Sequence, residues 1–378
     1  MNRLRKSAVV LAVAVCTAAL IGCGDSTSPS NATLSDPPGL SSDVQSLGTP
    51  FQATPLQSMS ALSAGGGPLA RTTRLLAALS PTKPAPASPQ LSARPAFAAK
   101  AIRPSFSTSP TGPGSLIPSS YWGHVFVWDT GTNKYVDGSA SGGPANGVRF
   151  TLYAVDPLTG QPATPLNAVG YVDLTDQSTT MQYKLGVLVA DPSTTYADYL
   201  VAVTTTSSTF LAQATGFVTD GTHRLDFSNS ASVSSTQVSL DYSLALDQPA
   251  VSAHLVATLA AGNSTAVLTT SFAVTRGSET VVLRGTLTAT QFQSNFTATV
   301  NFAITVNGAQ FATITGTAQS GGTATLTYAG PGRALTQPER DALDRLFSAP
   351  GVVSATVDGV YSPVEHLMGT NESLTLPS

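Results

Sequence analysis

Two short segments carry residue types that could perform hydrolysis. Gly24-Asp25-Ser26 offers a serine hydroxyl as a nucleophile. Asp220-Gly221-Thr222-His223 places an aspartate three residues before a histidine, where the carboxylate could orient an imidazole base. A serine, a histidine and an aspartate are the groups that acyl transfer by a catalytic triad requires.

These two segments resemble the nucleophile block and the Asp-x-x-His block of the GDS-type esterases. The resemblance implies an α/β sheet flanked by helices, with the histidine block near the end of the chain. Here 155 residues of strand-like pattern follow His223, and Asp220-Gly221 is also a favoured hairpin dipeptide. We therefore interpret the match as a coincidence and predict no catalytic residue.

Metal-ligating residue types are scattered along the chain. Zinc sites in proteins favour histidine and cysteine ligands, but the histidines fall in no His-x-x-x-His or His-Glu pattern. They are His124, His223, His254 and His366. Asp129, Asn133 and Asp137 could supply oxygen ligands to calcium, yet we interpret this stretch as a solvated hairpin tip. The sequence predicts neither a metal site nor a cofactor.

Three aromatic residues, Trp122, Phe126 and Trp128, stand at the start of the strand-rich region. They fit a buried core, which we favour, or an exposed contact surface. No ligand-binding residue can be assigned from this pattern.

The first 22 residues have the form of a secretory signal. Arg3, Arg5 and Lys6 precede an apolar run from Ala8 to Ile21 that small residues close. The run is shorter than the roughly 20 residues that a spanning helix needs. We predict that this segment directs export.

The end of this segment, Leu20-Ile21-Gly22-Cys23, resembles the lipobox of bacterial lipoproteins. The resemblance implies lipidation of Cys23 and removal of residues 1–22, so that several acyl chains anchor the protein durably. Gly24, rather than an aspartate, follows the cysteine, which favours the outer membrane. We therefore predict a cell-envelope location with the membrane as partner, facing either the periplasm or the cell surface.

Residues 23–115 are rich in serine, proline and alanine, as in Pro81-Thr82-Lys83-Pro84-Ala85-Pro86. Such a composition buries too little apolar surface to offset the entropy of ordering. We predict that this segment is a lipidated, disordered linker with a reach of roughly 50 Å.

Charge and cysteine content restrict the functions of the remaining domain. Residues 24–115 carry six basic and three acidic side chains, whereas residues 116–378 carry nine basic and 18 acidic ones. A net charge of −9 is unsuited to nucleic acid, whose binding depends on neutralising phosphates. The only cysteines, Cys16 and Cys23, leave no disulfide for the mature domain.

Residues 116–378 alternate apolar and polar residues with a period of two, which predicts half-buried strands. Within 237–246 the apolar set is Val238, Leu240, Tyr242, Leu244 and Leu246. Hairpin dipeptides such as Asn307-Gly308 and Asp358-Gly359 separate the runs. We expect about 12–14 strands paired as an antiparallel meander.

One helix is predicted near residues 337–347. Thr336-Gln337-Pro338-Glu339 has the form of a capping box with a proline in the first turn. Pro350-Gly351 is expected to end the helix, and Val352–Val357 resumes a strand-like alternation.

The predicted fold class is therefore mainly all-β. The sheet is rolled or curved with the helix against it, or the domain forms two β-sandwiches that divide near residues 205–235. Residues 148–174 also bear a faint resemblance to immunoglobulin-like surface domains, which keeps the second arrangement open.

Two functions fit these observations. The first is a non-enzymatic envelope lipoprotein that displays a structural or interaction domain to an envelope protein, polysaccharide or lipid. The alternative is a carrier that binds an apolar ligand in a cavity of the curved sheet, lined by residues 238–306.

Overall fold

The computed structural model describes residues 32–60, 115–156, 161–180, 182–205, 209–234, 237–261, 265–290, 297–319, 324–330 and 332–365. They form one sheet of 15 strands and three α-helices. The helices are α1 (Pro37–Ser46), α2 (Thr54–Ser60) and α3 (Gln337–Glu365). The strands are β1 (Val125–Asp129), β2 (Lys134–Ser139), β3 (Gly147–Tyr153), β4 (Ala168–Asp176), β5 (Tyr183–Ala190), β6 (Thr195–Thr205), β7 (Thr209–Thr219), β8 (Arg224–Ser234), β9 (Gln237–Leu246), β10 (Val251–Ala261), β11 (Thr265–Arg276), β12 (Glu279–Thr290), β13 (Thr297–Val306), β14 (Ala309–Gln319) and β15 (Ala324–Ala329).

The sheet is an antiparallel meander over most of its width. From β3 to β15 each strand pairs with the next one along the chain, and at the other edge β1 pairs parallel with β3 and antiparallel with β2. The predicted mainly-β fold is confirmed, with 15 strands instead of 12–14. Since β6, β7, β8 and β9 pair in succession, the sheet runs without a break through the region where two sandwiches would have divided.

One face of the sheet is apolar because of the period-two pattern. In β9 the predicted apolar residues are all buried, while the residues between them are largely exposed. The inward side chains of the strands join those of the helices in one hydrophobic cluster. Because α2 contacts β3–β6, while Phe347 of α3 packs edge-on against Phe302 of β13, the sheet curves around the helices.

The N-terminal helices correct the prediction of a disordered linker for residues 32–60. Leu40, Val44 and Leu47 recur at helical spacing and are buried, and Phe51 and Leu56 continue the buried face. Asp36 caps α1 by accepting a hydrogen bond from the Gly39 amide at 3.0 Å. A few well-placed apolar residues thus order a segment whose average composition is polar. Residues 61–114 of the predicted linker lie outside the described residues.

The C-terminal helix begins as predicted and continues further. The Thr336 amide donates to Glu339 Oε2 at 2.8 Å, and the Glu339 amide points back to Thr336 Oγ1 at 3.4 Å, as in a capping box. The expected end at Pro350-Gly351, the strand at Val352–Val357 and the turn at Asp358-Gly359 are wrong, because α3 runs through all three. Pro350 and Val353 extend the buried stripe of Leu343 and Leu346, so packing outweighs the local cost of proline.

Ion pairs fix α1 to one hairpin of the sheet. Arg276 at the end of β11 reaches Asp43 Oδ2 at 2.9 Å and Asp36 Oδ2 at 3.0 Å. Next to it, Glu279 Oε1 accepts a hydrogen bond from the Ser35 amide at 2.8 Å. We call these four side chains and the Ser35 amide the latch.

Since the strands alternate in direction, the hairpins fall at two opposite ends of the sheet. The turns between β5 and β6, β7 and β8, β9 and β10, β11 and β12, and β13 and β14 share one end, which we call the latch end. Asn307 and Gly308, with φ of 49° and 82°, form its last turn in the left-handed region that Asn-Gly tolerates. The strands β6, β8, β10, β12 and β14 end at the opposite end of the sheet, the far end.

Candidate functional site

Several residues considered in the sequence analysis are not placed by the structure. Cys23, the Gly24-Asp25-Ser26 segment and His366 lie outside the described residues. The predicted lipidation of Cys23 therefore stays a prediction.

Asp220 and His223 meet within one hairpin turn at the latch end. Asp220 Oδ2 lies 2.8 Å from His223 Nδ1, and Asp220 Oδ1 accepts from the amides of His223 and Thr222 at 2.7 and 2.8 Å. Partial burial raises the pKa of Asp220, but these hydrogen bonds outweigh it and leave the pKa below its usual value. The carboxylate thereby closes the turn, which agrees with the interpretation of Asp220-Gly221 as hairpin chemistry.

The proposed oxygen ligands for calcium have different partners. Asp129 accepts from Thr132 Oγ1 at 2.6 Å and from the Gly131 amide at 3.0 Å, and these bonds lower its pKa. Asp137 instead lies 2.7 Å from His124 Nδ1. Across the described ranges, no group of three or more His, Cys, Asp or Glu side chains is placed to hold a metal ion.

The three aromatic residues divide between the two predicted environments. Phe126 is buried and stacks on Phe150 at 5.0 Å between ring centroids. Trp122 is 40% exposed and donates from Nε1 to the Ile117 carbonyl at 3.0 Å. Trp128 packs edge-on against Tyr135. The favoured core position is thus confirmed for Phe126, while Trp122 lies at the surface.

A groove of about 460 Å³ opens on the outer face of β8–β11. Its outward lining includes Ser228, Ser243, Ser252, His254 and Asp226. The side chain of His254 is 52% exposed. Ala245 and Ala273 line it as well, so most of its lining surface is apolar, and the groove lies on the face opposite the buried apolar cluster.

Ser243 and His254 of this groove and the neighbouring Asp241 have the identities of a catalytic triad. His254 Nε2 lies 2.9 Å from Asp241 Oδ1, and Ser243 is directly opposite His254 in the register of β9 and β10. In the described part of the chain, both strands are paired on both sides, so their amides are engaged in the sheet and form no oxyanion hole.

A second, smaller groove of about 280 Å³ lies on the outer face of β4–β7. Leu188, Asp198 and Phe217 line one side of it. Next to it, the Arg224 guanidinium lies 3.7 Å from the centroid of the Phe217 ring and pairs with Asp226 at 2.7 Å. This cation is therefore committed to intramolecular contacts.

The most regular feature of the outer face is a row of uncharged polar side chains across eight strands, β8 to β15. Cross-strand register places one directly beside the next, at the spacing of about 4.8 Å between neighbouring strands. The row consists of Ser232, Ser239, Thr258, Thr269, Thr286, Asn301, Thr315 and Thr327. Parallel to it lie Thr288, Thr299, Thr317 and Thr325. We call these twelve residues the hydroxyl face.

Sequence reasoning did not find this alignment of polar side chains. The period-two pattern identifies which side chains point outward, whereas their alignment depends on the register between strands. The tight turns at Arg276-Gly277 and Asn307-Gly308 set that register and could have revealed the row.

No helix in the described part of the chain is long and apolar enough to cross a membrane.

Comparison with known proteins gives no relative for this arrangement. No protein family, curated protein or solved structure matches the chain.

Proposed function

We propose that this protein is an envelope lipoprotein, anchored through lipid on Cys23, that displays its β-rich domain as a non-enzymatic interaction module. The lipobox-like Leu20-Ile21-Gly22-Cys23 supports the anchor. The hydroxyl face supports the interaction role, and it is the observation on which the proposal depends.

The hydroxyl face suits an uncharged polar partner. It contains no Asp, Glu, Lys or Arg, and its hydroxyls combine donor and acceptor capacity with a methyl group on each threonine. The strands hold these side chains in place before binding, which reduces the entropy that association costs. Each hydrogen bond adds only about 0.5–1.5 kcal/mol, so a partner must engage many of them at once. A neutral envelope polysaccharide has the required repetition.

The anchor is tested by the mass and location of the full chain expressed in a bacterium. The proposal predicts that the membrane fraction contains a protein beginning at Cys23 with added acyl chains. The Cys23→Ser variant should be exported and recovered as a soluble protein. A full-length chain without acylation, or an acylated chain recovered outside the envelope, would contradict the proposal.

The interaction role is tested by binding of the soluble Cys23→Ser chain to purified neutral envelope polysaccharides. We expect saturable binding that the double variant Thr269→Lys, Thr286→Lys weakens about tenfold, since two long charged side chains would cover the row. Thr222→Lys at the latch end is the matched control and should leave binding unchanged. Equal binding by the parent, the double variant and Thr222→Lys would contradict a role of the hydroxyl face in binding.

One observation favours the carrier alternative. Thr270 faces inward and is buried, and its hydroxyl has no hydrogen-bond partner among the described residues. A polar group of an apolar ligand would satisfy the hydroxyl. Native mass spectrometry of the full chain tests this alternative, which requires a bound small molecule that Thr270→Val loses.

A further inference from the structure

The ordered domain begins much closer to Cys23 than its composition suggests. Ala32 packs against the hydrophobic cluster, and Leu34, two residues later, is buried in it. Only the eight residues 24–31 separate Cys23 from Ala32. Fully extended, this stretch spans at most about 30 Å, since each residue step covers no more than 3.3–3.6 Å.

The latch fixes the end of the sheet from which this short stretch departs. The Ser35 amide bonds to Glu279, and Asp36 pairs with Arg276. Both partners flank the turn between β11 and β12, which is part of the latch end. Ala32 is three residues from Ser35, so the chain enters the domain within about 10 Å of the latch end.

We call residues 24–31 the tether. The distance between the two ends of the sheet is greater than the length that the tether can span. β11 and β12 have 12 residues each, which corresponds to about 40 Å at 3.3–3.4 Å per residue. A lipid on Cys23 can therefore bring the latch end to the headgroups, while the far end of a domain held end-on would remain several tens of ångströms away.

The two ends also differ in charge. Counted with the two residues on either side of each turn, the latch end contains Asp191, Asp220, His223, Arg224, Asp247, Arg276 and Glu279. Asp191 and Asp220 accept hydrogen bonds within their own turns, so their carboxylates require no additional partner at a polar headgroup surface. At the far end, by contrast, the five connections from β6 to β15 and the two residues on either side of each contain no Asp, Glu, Lys, Arg or His.

We infer that the lipid anchor holds the domain with its latch end against the membrane headgroups and its uncharged far end directed away from the bilayer. This inference rests on the proposed anchoring at Cys23 and adds an orientation to it. The first surface that an envelope partner meets is then the uncharged one, rich in serine, threonine, asparagine and glutamine.

Energy transfer from a dye on the protein to an acceptor on lipid headgroups tests the orientation. Two variants of the lipidated chain each carry one new cysteine: Thr222→Cys in a latch-end turn and Thr265→Cys at the start of β11, at the far end. Both positions are exposed. Acylation of Cys23 leaves the new thiol as the only reactive one, because Cys16 is removed with the signal.

In vesicles of phosphatidylethanolamine and phosphatidylglycerol, we expect energy transfer from Thr222→Cys to exceed that from Thr265→Cys by about twofold or more, given the separation of the two ends. Equal transfer, or stronger transfer from Thr265→Cys, would overturn the orientation. Failure of the proposed function gives a separate signal: a chain that lacks acylation takes up a second dye at Cys23 and stays off the vesicles.

A longer tether is the matched control. Inserting about 40 glycine and serine residues between residues 30 and 31 adds roughly 35 Å of flexible reach. The difference between the two dyes should then fall towards zero. An undiminished difference would show that tether length does not set the orientation, which would also overturn the inference.

Discussion

The N-terminal helices and the C-terminal helix come from opposite ends of the chain and meet inside the same sheet. α1 lies against α3, and both contribute buried side chains to one cluster. They are fixed differently. α3 is held at its start by residues close in sequence, Arg333, Thr336 and Glu339, whereas α1 depends on Arg276, which lies 240 residues away from Asp36. Local chemistry therefore predicts the start of α3, whereas α1 combines the local cap of Asp36 with an ion pair to a residue distant in sequence.

The largest expected loss of stability comes from replacing one buried leucine in α1 and one in α3. Leu40→Ala in α1 and Leu343→Ala in α3 each remove a fully buried side chain and should lower the free energy of unfolding by about 2–5 kcal/mol. Urea unfolding of the soluble Cys23→Ser chain measures both. If Leu343→Ala is destabilised but Leu40→Ala is as stable as the parent, α1 and α3 do not contribute equally to the core.

Removing the ion pairs should distinguish the local attachment of α3 from the long-range attachment of α1. Arg333→Ala leaves the buried Glu339 carboxylate without its bidentate partner and should cost about 2–3 kcal/mol. Arg276→Ala should also destabilise the domain, because it leaves Asp43, whose side chain is only 14% exposed, without its partner, while the half-exposed Asp36 remains solvated. The long-range pair should also have a distinct signature: Arg276→Ala should increase amide exchange selectively in residues 32–46. Uniform exchange across the domain would contradict a role specific to α1.

Acid should weaken the attachment of α3 through Glu339. Hydrogen bonds from Arg333, opposed in part by burial, lower the pKa of Glu339 from 4.5 to about 2. Because the folded state holds the carboxylate charged, this stabilisation is complete above pH 4.5 and is lost as the pH falls towards 2, by up to about 3 kcal/mol. Glu339→Gln should flatten that part of the stability profile. If the variant and the parent lose stability in parallel between pH 4.5 and 2, another group is responsible.

The smallest expected change in stability is that of a substitution on the outer face of the sheet. Thr269→Ala removes an exposed hydroxyl from the outer face and should change the free energy of unfolding by less than about 0.5 kcal/mol. The inward neighbour Phe272, fully buried on the same strand, is the matched control, and Phe272→Ala should cost about 3–5 kcal/mol. A large loss of stability from Thr269→Ala would mean that the hydroxyl face has a structural role.

The sheet could be predicted because each of its strands carries its own signal. Period two in β9, β10 and β13 identifies both the strand and its buried face, and Asn307-Gly308 fixes a turn. The order of the strands then follows from short connections. The same local logic explains the correct start of α3 and also its wrong end, since the turn chemistry of Pro350-Gly351 is outweighed by buried neighbours that only the fold supplies.

The helices at residues 37–60 were missed because composition was averaged over the whole of residues 23–115. Asp36-Pro37-Pro38 is a recognisable helix start, and Leu40, Val44 and Leu47 give the spacing of a short apolar face. A helix this short is marginal without packing, so its stability depends on strands that follow much later in the chain. The alignment of the hydroxyl face was missed for a similar reason, because it depends on register across eight strands.

The central claim is that residues 32–60 belong to the folded domain. Urea unfolding of residues 31–378 and of residues 116–378, followed by circular dichroism, tests it most directly. The account predicts a single cooperative transition for the longer chain, and aggregation or a non-cooperative transition for the shorter one, whose inner sheet face has lost α1 and α2. Cooperative transitions with the same midpoint and the same slope for both chains would contradict the account.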